Sequence, residues 1–218
     1  MEQGNLPTQR VNISTQKMLG GIGSILIAIG WVLTWALSWA PGMGALLKDL
    51  LNILGLAGLV LWLISLYQLS NMLKKSDIFR KALMGSILQI VGFVIAILLI
   101  VVLFWDTVNA ILGAELSSTR RDGIDDILGF GFGYIIFIIG LIFTYPFNVI
   151  GSYFYKRAYD ILALATAQNL FKTAGLLIFI GAITTILFGL GLLLMFVGYI
   201  VLAVAFFTAP NEVEVQGT

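Results

Sequence analysis

Between Lys172 and Glu212 the chain carries no charged residue. Residues 171–208 read FKTAGLLIFIGAITTILFGLGLLLMFVGYIVLAVAFFT. One straight helix of that length would measure roughly 57 Å at 1.5 Å per residue, while the hydrocarbon core of a bilayer is about 30 Å thick. The stretch is therefore either one overlong helix, two helices joined by a turn, or a deeply buried soluble core. Other long apolar runs argue against the soluble core: Met18–Trp39, Leu50–Leu69, Ala82–Trp105 and Ile127–Phe154. The first three each fit a single spanning helix of about 20 residues. The fourth is longer and contains Pro146, which predicts a tilt or a kink.

Composition points the same way. The chain is 60% hydrophobic and 11% charged, against about 25% charged in soluble domains. It has no cysteine and no histidine. Disulfides, thiol nucleophiles and thiolate or imidazole metal ligation are thereby removed, as is the commonest general base. The net charge of +1 gives no electrostatic footprint for nucleic acid. The run ending at Ala40 is too long for the apolar part of a signal peptide, its polar leader is long, and Pro41 would follow the cut, so a retained helix is expected.

Charge gives an orientation. With six spans and a cytoplasmic start, the cytoplasmic segments carry Arg10, Lys17, Lys74, Lys75, Arg80, Lys81, Lys156, Arg157 and Lys172. Only Lys48, Arg120 and Arg121 fall outside, a positive-inside bias that predicts both termini in the cytoplasm of a plasma-membrane protein. This places the Asn12-Ile13-Ser14 sequon inside, where it is not glycosylated. Residues 106–126 form the longest outer loop, acidic on balance, and 155–170 either extend the fourth helix or lie along the membrane surface.

Two short motifs suggest an internal repeat. Gly23-Ser24-Ile25-Leu26 followed by Gly30 recurs as Gly85-Ser86-Ile87-Leu88 followed by Gly92. Ile53-Leu54-Gly55 and Ile127-Leu128-Gly129 open the second and fourth runs, and Ile186-Leu187-Phe188-Gly189 repeats that signal inside the long uncharged stretch. The stretch therefore reads as two helices with a turn near Thr184–Gly191. The expected fold is an all-α membrane protein of six helices, spanning approximately 18–39, 50–69, 82–105, 127–154, 168–186 and 189–208. These form one transmembrane domain over 1–218, as three parallel hairpins.

Glycine spacing bears on packing. Gly23/Gly30, Gly85/Gly92, Gly133/Gly140 and Gly191/Gly198 are seven apart, about two helical turns, so each pair marks one helix face. Small residues on a face let backbones approach in lipid, and internal packing explains them more simply than dimerisation.

The sequence offers little for chemistry. No charged side chain lies deep in an expected span, which speaks against proton coupling. Gln89 sits mid-span in the third helix, and Thr144, Pro146 and Asn148 cluster in the fourth. Buried amides need partners whatever the function, and a polar pathway through Gln89, Asn148 and Thr144 is the sharper alternative. Trp31, Trp35 and Trp39 share a face, as expected of packing or lipid contact. Asp122-Gly123-Ile124-Asp125-Asp126 lacks the pattern of a calcium loop and suits a helix start. The lysines and arginines at 74, 75, 80 and 81 suit a topology signal or anionic lipid heads.

Three segments carry a resemblance: Thr15-Gln16-Lys17-Met18-Leu19-Gly20-Gly21-Ile22-Gly23-Ser24, the linker from Leu69-Ser70 to Ile78-Phe79, and Phe171-Lys172-Thr173-Ala174-Gly175 through Ala205-Phe206-Phe207. Together they resemble an uncharacterised family of small archaeal multi-spanning membrane proteins, a "domain of unknown function" group. The resemblance implies a polytopic membrane protein and supplies no catalytic residues. The reading is a non-enzymatic structural or accessory membrane protein without metal or cofactor, whose partners are the bilayer and other membrane subunits or its own copies. The alternative is a small-solute or ion pathway between the hairpins.

Overall fold

The computed structural model describes residues 8–34, 45–103, 105, 109, 124–187 and 190–216. In chain order the elements are strand β1 (Thr8–Asn12), helix α1 (Ser14–Ile27), α2 (Ala45–Met72), α3 (Ser76–Leu103), α4 (Ile124–Thr166), α5 (Leu170–Thr184), α6 (Leu190–Thr208) and strand β2 (Glu212–Gln216). Helix α1 runs directly into a π-helical segment, Ala28–Leu33. Among the described residues there are thus six helices, and the long uncharged stretch is two of them. The chain leaves α5 through a turn at 185–187, where Leu187 N–H donates to the Thr184 carbonyl at 2.9 Å.

Helix α4 runs 43 residues with Pro146 inside it, about 64 Å at the standard rise. The segment after Phe154 continues this helix as far as Thr166. Much of the outer loop expected at 106–126 lies outside the described residues, as do Trp35 and Trp39.

The structure divides into two compact units, residues 1–85 with 152–218, and residues 86–151. In the first, α1 packs antiparallel on α2, and α5 antiparallel on α6. Ser65 Oγ donates to the Gln16 carbonyl at 2.7 Å, and Gln168 Nε2 to Thr208 Oγ1 at 2.8 Å, aligning the ends of these helices. The core between them holds Trp62, Tyr159, Phe171, Ile178, Leu202 and Phe206, all at most 2% exposed. In the second unit, the later part of α3 packs on the earlier part of α4.

The first unit ties the two ends of the chain together. Strands β1 and β2 pair antiparallel from Thr8↔Gln216 to Asn12↔Glu212. Val213 and Val215 are buried, while Arg10 faces Glu212 and Glu214 at 3.8 and 3.6 Å on the exposed side. Such exposed ion pairs add little; the ribbon is anchored instead by its junctions. Ile13 N–H donates to the Asn211 carbonyl at 2.8 Å, and Ile13 is 1% exposed. Lys17 Nζ reaches the Ala209 carbonyl at 2.8 Å and that of Phe207 at 3.3 Å. A lysine here satisfies carbonyls that the end of α6 leaves open and complements the helix dipole. Asn12 Oδ1 accepts the Ser14 N–H at 2.9 Å as α1 begins.

Two tight turns at the ribbon end of this unit are built alike. After α2, Lys75 N–H bonds the Ser70 carbonyl at 2.9 Å, with Lys74 at φ 52°. After α4, Gln168 N–H bonds the Ala163 carbonyl at 3.1 Å, with Ala167 at φ 53°. Both are Schellman endings in which the left-handed residue is not glycine. For a residue with a Cβ this conformation costs roughly 1–2 kcal/mol. Ala167→Gly is therefore expected to raise stability by about 1 kcal/mol, read as an upward shift of the thermal midpoint in detergent; no shift or a downward one would contradict the turn geometry.

Candidate functional site: glycine interfaces and two polar clusters

Within the first unit, the glycines of α1 lie where its backbone meets that of α2. A Cβ on Gly23 would sit 2.7 Å from Trp62 N and 2.8 Å from the Gly58 carbonyl. One on Gly30 would strike the backbone of Gly55, and one on Gly55 would strike the Trp31 ring. In the α5–α6 hairpin, Gly191 faces the Gly181 carbonyl and Thr185, and a Cβ on Gly198 would lie 2.7 Å from Ile178 Cγ1. Gly85 is buried. In the second unit, Gly92 lies against Phe147, and a Cβ on Gly140 would be 3.4 Å from Ile100 Cδ1. Gly133 lies within α4.

The polar residues named from sequence converge in the second unit. Gln89 Nε2 donates to Asn148 Oδ1 at 3.4 Å, joining α3 to α4. Thr144 Oγ1 turns back on its own helix, to the Gly140 carbonyl at 2.8 Å. Thr144 thus finds a partner on its own helix one turn away, and the bond between the two amides is a direct one between α3 and α4.

A second cluster, in the first unit, escaped sequence reasoning. Trp62 of α2 meets Tyr155 edge-on, centroids 5.2 Å apart, and Tyr159 at 6.2 Å. Tyr199 of α6 belongs to the same core. Alongside, Lys156 Nζ bonds Asp160 Oδ2 at 2.7 Å, each side chain only 24% exposed. Among the described residues, Trp62 Nε1, Tyr159 OH and Asp160 Oδ1 are buried without a hydrogen-bond partner. Gly175 lets α5 come close: a Cβ there would meet Tyr159 Cδ2 at 3.1 Å and Lys156 Cα at 3.2 Å. The i,i+4 pairs Tyr155/Tyr159 and Lys156/Asp160 are visible in the sequence once 155–166 is known to be helical. Their meeting with Trp62 and Tyr199 is not, because those residues lie far away along the chain. Its Lys156–Asp160 pair is self-neutralising.

The outer surface completes the picture. Phe93, Val94, Leu98 and Val102 of α3 are 62, 47, 58 and 73% exposed. So wide an apolar exposure suits contact with lipid. Among the described residues four helices are long and apolar enough to cross a membrane: Leu46–Met72, Ser76–Val102, Ile138–Thr166 and Leu190–Thr208. The fold is a helical one, and its long apolar helices are compatible with a place in a membrane.

The comparisons with known proteins place it more closely. Residues 54–200 match the family described as "Protein of unknown function (DUF996)", and the chain belongs to that family. It is also similar to the uncharacterised protein MJ1644 of Methanocaldococcus jannaschii, 28% identical over 205 residues that cover 94% of this chain and 97% of the relative. No solved structure matches.

Proposed function

We propose that the protein is a six-span integral membrane protein, with both ends on the cytoplasmic side of the plasma membrane, that serves a non-enzymatic structural or accessory role. The observation that carries the topology is the β1–β2 ribbon: two ends hydrogen-bonded to each other share a side, which calls for an even number of crossings. Helix α1 with its π segment supplies the fifth span and α5 the sixth, beside the four long helices. Helix α5 has 15 residues, about 22 Å, and spans by thinning the bilayer locally or by sheltering against α6. The matched turns after α2 and α4 fall between the expected hairpins and support the three-hairpin repeat.

The accessory role rests on how polar groups are used. Gln89 and Asn148 bond each other, Lys156 bonds Asp160, and Lys17 caps α6. The first and last of these join separate elements of the protein and the second stays within α4, which is what a scaffold needs, and the solute-pathway alternative is left without a specific observation in its favour. The partners in this reading are other membrane subunits or further copies of the chain.

Single cysteines test the orientation. One introduced near Gly113 is expected to react with an impermeant maleimide in intact cells, and one at Ser76 only after lysis; the reverse pattern would refute it. Gentle extraction followed by identification of what copurifies tests the role: a defined membrane subunit in fixed ratio supports it. A lone protein whose incorporation makes liposomes leak to small solutes would replace it with the pathway.

A further inference from the structure

At the ribbon end of the first unit, the turn after α2 and the last turns of α4 flank an open pocket of about 510 Å³. One wall is Lys74, Lys75, Ser76 and Asp77; the other is Ile161, Leu164 and Ala165. The two walls are chemically opposed. Lys74 and Lys75 are exposed, and Arg80 follows one turn into α3. On the other side Leu164 is 86% exposed, more than any other large apolar residue among those described. Arg157 lies one turn before Ile161 on α4, with its Nε donating to Tyr153 OH at 3.0 Å. Cations outnumber acids here: Asp160 pairs with Lys156, and the one further carboxylate on this wall, Asp77, stands beside Lys74, Lys75 and Arg80.

A soluble surface gains nothing from a bare leucine beside two lysines. A membrane surface does, because there the cation meets a phosphate and the apolar side chain meets the chains beneath it. We infer that this pocket binds an anionic lipid of the surrounding bilayer, with Lys74 and Lys75 on the headgroup phosphate and Ile161 and Leu164 against the start of its chains. The inference rests on the membrane reading above but not on which side the pocket faces.

The test uses the full-length protein in mild detergent, titrated with phosphatidylglycerol and, separately, phosphatidylcholine, bound lipid being counted by native mass spectrometry. Wild type is expected to retain phosphatidylglycerol in preference to phosphatidylcholine. The double variant Lys74→Gln/Lys75→Gln is expected to bind it roughly thirty-fold more weakly, the combined effect of two basic residues at an anionic surface. Asp77→Asn is expected to change affinity the opposite way, tightening it about five-fold as the opposing charge goes. That opposite direction separates a headgroup site from general damage, and an unchanged melting midpoint for each variant confirms that it is folded. Equal retention of both lipids, or no loss in the double variant, overturns the proposal. Protection by inorganic phosphate alone at matched concentration would also overturn it, in favour of a soluble anion. If the protein needs no detergent to stay in solution, the membrane reading itself fails; if it needs detergent and shows no lipid preference, only the lipid site fails.

Discussion

Replacing Gly30 with leucine is expected to cost about 3 kcal/mol or more, at or beyond the upper end of what overpacking usually costs. The reason is what stands opposite. A Cβ at this position would meet the backbone of Gly55, with the Leu51 carbonyl at 2.7 Å. Backbone atoms of a packed helix cannot rotate aside as a flexible side chain would, so α1 and α2 must separate, and close contact is what holds helices together in lipid. The surroundings add constraint: Gly30 lies in the π-helical segment of α1, and Thr34 Oγ1 bonds its carbonyl. The matched comparison is Gly140→Ala, where the nearest atom is the mobile tip of Ile100 at 3.4 Å. That change is expected to stay within about 1 kcal/mol of wild type, helped by the better helix propensity of alanine. Thermal unfolding in detergent, with size exclusion to confirm the folded form, measures both. Similar losses for the two variants would mean that glycine matters to these helices for some reason other than close approach.

Trp62→Ala is expected to be comparably severe, about 3–5 kcal/mol, the usual cost of emptying a buried aromatic site. Trp62 is 2% exposed and joins α2 to α4 through Tyr155 and Tyr159. Trp62→Phe is expected to cost far less, about 1–2 kcal/mol, because much of the ring's volume and its edge-on contact survive. The indole N–H is not missed, since among the described residues it has no hydrogen-bond partner to lose. A phenylalanine variant as damaged as the alanine one would mean that this N–H is bonded after all, to the neighbouring Tyr159 hydroxyl or through a water or a ligand. The same pair of variants bears on the candidate site: if copurifying subunits are lost in Trp62→Phe while the fold persists, the aromatic cluster has a role beyond holding the bundle.

The residues differ in how much they disclose before folding. The division of the 171–208 stretch was legible because Ile186-Leu187-Phe188-Gly189, a repeat of the motif near the start of the second and fourth apolar runs, falls within a run too long for one crossing. The end of α4 was not legible. Residues 155–166 mix charge with apolar side chains, so periodicity alone did not separate a continued helix from a surface segment, and packing against Trp62 and α5 decides it. The seven-residue glycine spacing marked faces, but it could not say that Gly30 meets Gly55 while Gly92 meets a phenylalanine. Gln89 and Asn148 stood out as amides in apolar helices, which must find partners; that they find each other is a fact of helix register.

Sequence by itself determined the long apolar segments, the helical class and the absence of thiol and imidazole chemistry, because hydropathy and residue type are local properties that each segment carries unaided. Tertiary structure alone decided which segments meet. It joined the first strand to the last, set Lys17 on the end of α6, and buried Tyr159 beside Trp62. These pairings depend on how helices of similar apolar character sort against one another, and in such a chain many partners look alike until their backbones are close enough for a single methyl group to exclude one of them.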